Sequence, residues 1–284
     1  MNRKLLSLYG LKWNPFSPDV PNEALYVSPR LESFAWRVEN LAREGGFALV
    51  TGEPGIGKSV VMRALVERLT ALPDVRVGVL TRPQARLADF FREMGDLFGV
   101  QLQPHNRWAG SKALREKWQT HVDASLFRPI LVVDEAQEMP TAVLNELRLL
   151  SSARLDSQFL LTTLMAGDTR LTGRFRTDEL LPVGSRMRVR LTLERATPTE
   201  LLELLKHALA KAGNPKLMTP ELMATLSEHA AGNIRVLMNM AGELLAAGAQ
   251  REVKQLDEKL YFEAFAVPAP PPEGGKGHPQ ACRR

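Results

Sequence analysis

The chain has a single cysteine, Cys282, two residues from the end of its 284. No intramolecular disulfide can form, and no cysteine-based metal site is available. Histidine is scarce as well: His105, His121, His207, His229 and His278 show no ligand spacing. Long apolar runs are missing. The stretch over Phe159–Gly167 falls far short of the roughly 18 residues that a membrane span needs. The basic start, Met1-Asn2-Arg3-Lys4-Leu5-Leu6, lacks the apolar core and cleavage site of a secretory leader. Internal repeats are absent too. These absences predict a soluble, cytoplasmic protein with no membrane partner.

What is present is globular. Apolar residues are 44% and charged residues 24%, which excludes a collagenous, coiled-coil or wholly disordered chain. The length suits one or two domains with a real core. Lys+Arg number 37 against 32 Asp+Glu, a net charge of +5 that favours polyanionic partners only weakly.

Residues 1–27 show little periodicity and many turn formers, so they read as an N-terminal extension, expected on the nucleotide side. Ser28-Pro29 then opens a helix, with serine as cap and proline in the first turn. The runs Phe47–Thr51, Val75–Thr81, Ile130–Val133, Phe159–Met165 and Val189–Leu193 read as strands. Helices are expected at about 58–70, 85–98, 111–124 and 140–153. Strands alternating with helices predict an α/β domain over 28–195, a parallel sheet with flanking helices. From about residue 196 the pattern is helical only. Thr197-Pro198-Thr199-Glu200 forms a capping box, Thr219-Pro220 starts a second helix, and Asn233–Ala246 a third. A short fourth falls at 255–265. The expectation is a small all-α domain over 196–266, followed by a disordered proline- and glycine-rich tail over 267–284.

The sharpest motif is Gly52-Glu53-Pro54-Gly55-Ile56-Gly57-Lys58-Ser59, a complete G-x-x-x-x-G-K-[ST] between a strand and a helix. Glycines let backbone N–H groups curl around phosphates, and the helix N-terminus adds partial positive charge. Gly52, Pro54, Gly55, Ile56, Gly57, Lys58, Ser59 and Val60 are therefore the expected ATP contacts. Lys58 would reach the β- and γ-phosphates, and Ser59 would bind Mg²⁺. The second half is Ile130-Leu131-Val132-Val133-Asp134-Glu135, a buried strand that delivers two acids at its end. Asp134 would hold the Mg²⁺ shell, and Glu135 would polarise the attacking water. Hydrolysis also needs cations against the γ-phosphate oxygens. Arg186, before the last strand, and Arg235, at the start of a helix in the second domain, are the candidates. Each has an alternative reading as a solvated surface charge.

Together these residues resemble the P-loop AAA+ ATPases. Within them the chain is similar to the ExeA-like group and to the TnsC/TniB-type transposition ATPases. The closer likeness rests on Tyr9-Gly10-Leu11, Asn14-Pro15-Phe16, Leu25-Tyr26-Val27-Ser28, Val79–Gln84 and Met165–Leu171. The resemblance implies that the helical domain is a lid, that Arg186 is an arginine finger serving a neighbour's ATP, and that Arg235 is sensor 2. It implies a homo-oligomer, a ring or a helical filament. It puts Asp168 at the sensor-1 place, where a neutral residue is usual. A carboxylate there needs a partner such as Arg170, or else the register shifts to Thr169.

Two functions follow as expectations. The first is a transposition helper that assembles on duplex DNA without sequence preference and recruits a transposase. Its support is basic: Arg82 and Arg86 at a strand's C-terminal edge, and six arginines within residues 170–190. Those arginines have a second reading, as interface and nucleotide groups. The alternative is a secretion or envelope-assembly ATPase of the ExeA type; the chain's end after the lid counts against it.

Overall fold

Alternate residues of the strand Gly46–Thr51 feed two different cores. Ala48 and Val50 face one, Phe47 and Leu49 the other. The computed structural model describes residues 3–100, 107–124, 126–154 and 157–265. The 267–284 tail, Cys282, His105 and His278 lie outside them. In chain order the first elements are α1 (Arg3–Tyr9), α2 (Pro29–Glu44), β1 (Gly46–Thr51), α3 (Lys58–Thr70), β2 (Val75–Leu80) and α4 (Leu87–Phe98). Next come α5 (Arg107–Asp123), β3 (Arg128–Val133), α6 (Thr141–Leu150), β4 (Ser152–Ala153), β5 (Gln158–Phe159) and β6 (Thr162–Gly167). Two short helices, α7 (Thr169–Arg174) and α8 (Leu181–Gly184), lead to β7 (Met187–Thr192). Four helices close the fold: α9 (Pro198–Ala212), α10 (Pro220–His229), α11 (Ile234–Gln250) and α12 (Glu258–Ala264).

Five strands form a parallel sheet in the order β2-β3-β6-β1-β7. Helices α2 and α3 cover one face through Phe34, Val38, Leu65 and Leu69. Helices α4, α5 and α6 cover the other through Phe90, Phe98, Trp118 and Leu147. This is the expected three-layer α/β arrangement. The edge strand β7 alternates, with Met187, Val189 and Leu191 buried while Arg188 and Arg190 face out. Charged side chains on an edge discourage pairing with another chain.

Helices α9–α12 make a third core of their own around Leu205, Leu209, Leu237 and Leu244. Tyr9, Leu11 and Phe16 are buried in that same core. The capping box at α9 forms as expected. The Thr197 backbone N–H and hydroxyl hold the Glu200 carboxyl below its usual range.

Three local expectations change. The run Phe159–Met165 is not one strand. Phe159 pairs antiparallel with Ser152, and β6 starts only at Thr162. The helix expected over 140–153 stops at Leu150, where the Ser151 hydroxyl donates to the carbonyls of Leu147 and Arg148. Residues 3–9, expected to lack regular structure, are helical: α1 packs on α11, a partner more than two hundred residues away.

Candidate nucleotide site

The loop between β1 and α3 has its backbone fixed by glycine. Gly55 (φ +85°) and Gly57 (φ +104°) occupy the left-handed region that side chains disfavour. Gly57 caps α3, so Lys58 and Ser59 begin the helix with N–H groups that the helix itself cannot satisfy. Lys58 is only 6% exposed, so its ammonium requires partners. It donates to the Gly52 and Glu53 carbonyls, both at 3.0 Å.

Asp134 and Glu135 follow β3 directly. The Ser59 hydroxyl donates to Asp134 Oδ2 at 2.9 Å, so the loop serine and the strand-end acid meet. Asp134 Oδ1 accepts the Glu135 backbone N–H at 2.9 Å. Glu135 itself has φ +52°, a left-handed conformation that costs a non-glycine residue free energy. Gln137 donates to the Glu135 carboxylate.

Around these groups lies a cavity of about 1150 Å³. Pro54, Gly55, Ile56, Gly57, Lys58, Ser59, Val60, Glu135, Asp168 and Arg235 all line it. The lid supplies Leu204, Ala208, Ile234 and Met238, and the N-terminal segment supplies Trp13, Phe16 and Tyr26. That segment is bound on both sides. Arg63 of α3 donates to the carbonyls of Pro18 (2.7 Å) and Val20 (2.6 Å) and to Asn22 Oδ1 (2.9 Å). His207 of α9 contacts the Ala24 carbonyl and stacks edge-on against Tyr26.

The lid touches the phosphate loop itself. The Arg235 backbone N–H donates to the Gly55 carbonyl at 2.9 Å, and Asn233 Nδ2 to the Pro54 carbonyl at 3.2 Å. A Cβ on Gly55 would lie 2.5 Å from Asn233 Oδ1. Arg195, in the connection from β7 to α9, pairs with Glu53 at 2.8 Å and reaches the Ala231 carbonyl at 3.3 Å.

Asp168 caps α7, accepting the Arg170 N–H at 2.9 Å, and its carboxylate pairs with Arg170 Nε at 2.8 Å. The charge expected to trouble this position is thus partnered. Arg170 also reaches Glu138 at 2.9 Å.

Arg186 is elsewhere. Strands β1 and β7 are parallel, with Phe47 opposite Met187 and Thr51 opposite Thr192. Arg186 precedes Met187, so it sits about 16 Å of strand rise from the loop end of the sheet. It donates to the Pro182 carbonyl at 2.6 Å and does not line its own chain's cavity. Arg82 and Arg86 are exposed beyond β2 and also lie outside the cavity lining. Of the arginines in 170–190, five hold internal partners: Arg170 and Arg186 as above, Arg174 the Gln137 carbonyl (2.7 Å), Arg188 Glu44 (2.6 Å) and Arg190 the Gly184 carbonyl (2.8 Å).

The residues fit a Mg²⁺–nucleotide. A loop where a Cβ would collide, free helix N–H groups and a buried lysine suit phosphates. A hydroxyl and a carboxylate in contact suit a hard cation that keeps oxygen ligands. Among the described residues no group of three His, Cys, Asp or Glu could hold a metal alone. A cation held by Ser59 and Asp134 would therefore complete its shell with nucleotide and water oxygens. Sequence reasoning missed Gln137, Asn233, Arg195 and Arg63 as site residues, because their roles come from tertiary contacts that no local spacing encodes.

Residues 41–175 match the family model of an AAA domain. General secretion pathway protein A of Aeromonas hydrophila is 29% identical over 266 residues, 91% of this chain and 48% of that protein. The chain thus spans about half the length of this relative. Among solved structures, Cdc6p of Pyrobaculum aerophilum superposes with a TM-score of 0.68 at 15% identity, over 88% of this chain and 69% of that one. The ORC1 protein of Aeropyrum pernix in complex with DNA gives 0.66 at 18% identity, over 88% and 67%. At those identities the two structures speak for the fold alone.

Proposed function

We propose that the chain is an ExeA-like AAA+ ATPase, a self-assembling, Mg²⁺-ATP-driven remodelling module of the secretion or envelope-assembly kind. The carrying observation is the contact of Ser59 with Asp134, beside Glu135, in a cavity that the lid borders. The envelope role rests on the similarity to general secretion pathway protein A, which runs over 91% of the chain and so extends beyond the phosphate loop into the helical domain.

Bound Mg²⁺-ATP supplies the phosphoanhydride and a cation that neutralises its oxygens. Lys58 turns from the loop carbonyls to the β- and γ-phosphate oxygens. Ser59 and Asp134 hold the cation. Glu135 takes the proton of the attacking water. Arg235 brings positive charge from the lid. Arg186 reaches the γ-phosphate of a neighbouring copy, because the length of the sheet separates it from its own site. The result is a homo-oligomer with shared sites, a ring or a filament.

The second reading is the cytoplasmic transposition helper that coats duplex DNA and recruits a transposase. Exposed Arg82 and Arg86 favour it, and so does the fold shared with an ORC1 protein solved in complex with DNA. No helix among the described residues is long and apolar enough to cross a membrane.

Sedimentation and electron microscopy with ATP, with and without a duplex of several tens of base pairs, separate the two. Assembly that needs ATP but ignores DNA supports the first reading. Filaments that form only on duplex and dissolve as salt rises replace it with the second. Arg186→Ala should lose hydrolysis and recover part of it when mixed with Lys58→Ala, whose arginine is intact. No recovery at any ratio removes the shared site.

A further inference from the structure

Gln137 lies two residues beyond Glu135, and no expectation from sequence gave it a task. Its side chain joins two elements. Its Oε1 accepts the Asp168 backbone N–H at 3.1 Å, at the end of β6. A backbone N–H can only donate, so this contact fixes which way the amide faces. Nε2 is thereby turned to the Glu135 carboxylate, where it donates.

The main chain of Gln137 is held as well. Its carbonyl accepts Arg174 Nη1 at 2.7 Å, and the same guanidinium reaches the Thr141 hydroxyl. Gly167 makes room for the amide: a Cβ there would lie 2.8 Å from Gln137 Oε1. Glu135, by contrast, stands on a strained left-handed backbone at the rim of the cavity. Without a fixed partner its carboxylate has rotamers to explore.

We propose that Gln137 is the positioning residue of Glu135: its amide, registered by the Asp168 N–H, sets the direction of the Glu135 carboxylate and ties it to the end of β6. This rests on the reading of Glu135 as the group that activates water. The chain Glu135–Gln137–Asp168 continues through Arg170 to Glu138, so β3, β6 and α7 meet at this amide. A shift of β6 or α7 would be felt first as a turn of the Glu135 side chain.

The test uses the full chain and three variants. Gln137→Leu keeps volume and loses both bonds. Gln137→Glu keeps an acceptor for Asp168 but cannot donate to Glu135. Glu135→Gln reports on the underlying reading. With ATP saturating, single-turnover hydrolysis should fall about ten- to hundredfold in both Gln137 variants, the size of a lost bond to a charged group. ATP affinity should stay at the parental value, which a collapsed site would not allow. Added to Glu135→Gln, Gln137→Leu should cost nothing more, because the two act as one unit. Without any nucleotide, hydrogen exchange at the Asp168 amide should quicken in Gln137→Leu. Parental turnover and parental exchange in that variant overturn the proposal. Independent, additive losses overturn it too, by making Gln137 a separate contributor. Undiminished hydrolysis in Glu135→Gln instead overturns the reading beneath it, and that outcome is visible before Gln137 is touched.

Discussion

The two halves of the phosphate loop are held by different parts of the molecule. Glu53, Pro54 and Gly55 bond to Arg195, Asn233 and the Arg235 N–H, on the lid and the connection to it. Lys58 and Ser59 bond to the loop's own carbonyls and to Asp134 on the sheet. The first half is therefore placed to sense where the lid stands. The second half is placed to handle charge. A lid rotation can deform the backbone that faces the phosphates, and the Glu53 carbonyl passes that movement on to Lys58.

The contrast can be broken by substitution on each side. Glu135→Gln, beside the second half, should lower turnover by about 10²–10⁴-fold with ATP affinity retained. Steady-state hydrolysis beside equilibrium binding checks this, and unaltered turnover removes Glu135 from the reaction. Lys58→Ala should weaken ATP binding by about tenfold to hundredfold, since a bond to a charged group contributes about 1.5–3 kcal/mol. Unchanged affinity in a titration would remove the loop from nucleotide binding altogether. Gly55→Ala tests the first half. It forces a side chain into a left-handed backbone and against Asn233, at a cost of about 1–3 kcal/mol. Thermal unfolding should show the loss, and limited proteolysis should find the lid loosened. Arg195→Ala should matter least. Its pair with Glu53 is roughly half exposed on both sides, so about 0.2–1 kcal/mol is expected, and less at high salt. A larger effect from Arg195→Ala than from Lys58→Ala would invert the contrast.

What could be read from the sequence was local. The glycine pattern of 52–59 and the acids after Ile130–Val133 were legible, because a buried strand and a tight turn leave composition signatures over a few residues. The capping box at Thr197–Glu200 was legible for the same reason. Helix α1 was not: seven residues cannot hold a helix alone, and Tyr9 is buried in the core that the lid helices build. The break after Phe159 was invisible because both halves are equally apolar, and the break comes from pairing with Ser152. At the site, Asp168 drew notice as a carboxylate near phosphate. What it does in the fold is cap α7 and pair with Arg170, while its N–H holds Gln137. The arginine-rich run 170–190 looked like a surface for polyanions, yet five of its members are engaged in internal contacts.

Tyr9, Leu11 and Phe16 belong to a core whose other members lie beyond residue 200. Asn214 donates to the Tyr9 carbonyl across 205 positions of sequence. During synthesis, at about 5–20 residues per second, that gap lasts about 10–40 s. Throughout it the sheet and its covering helices can assemble, but these early side chains have nothing to pack on. They stay without their native core until the last helices emerge and draw them in. The earliest of these residues to be made are thus among the last to be buried, and one of the final acts of folding completes the wall of the nucleotide cavity.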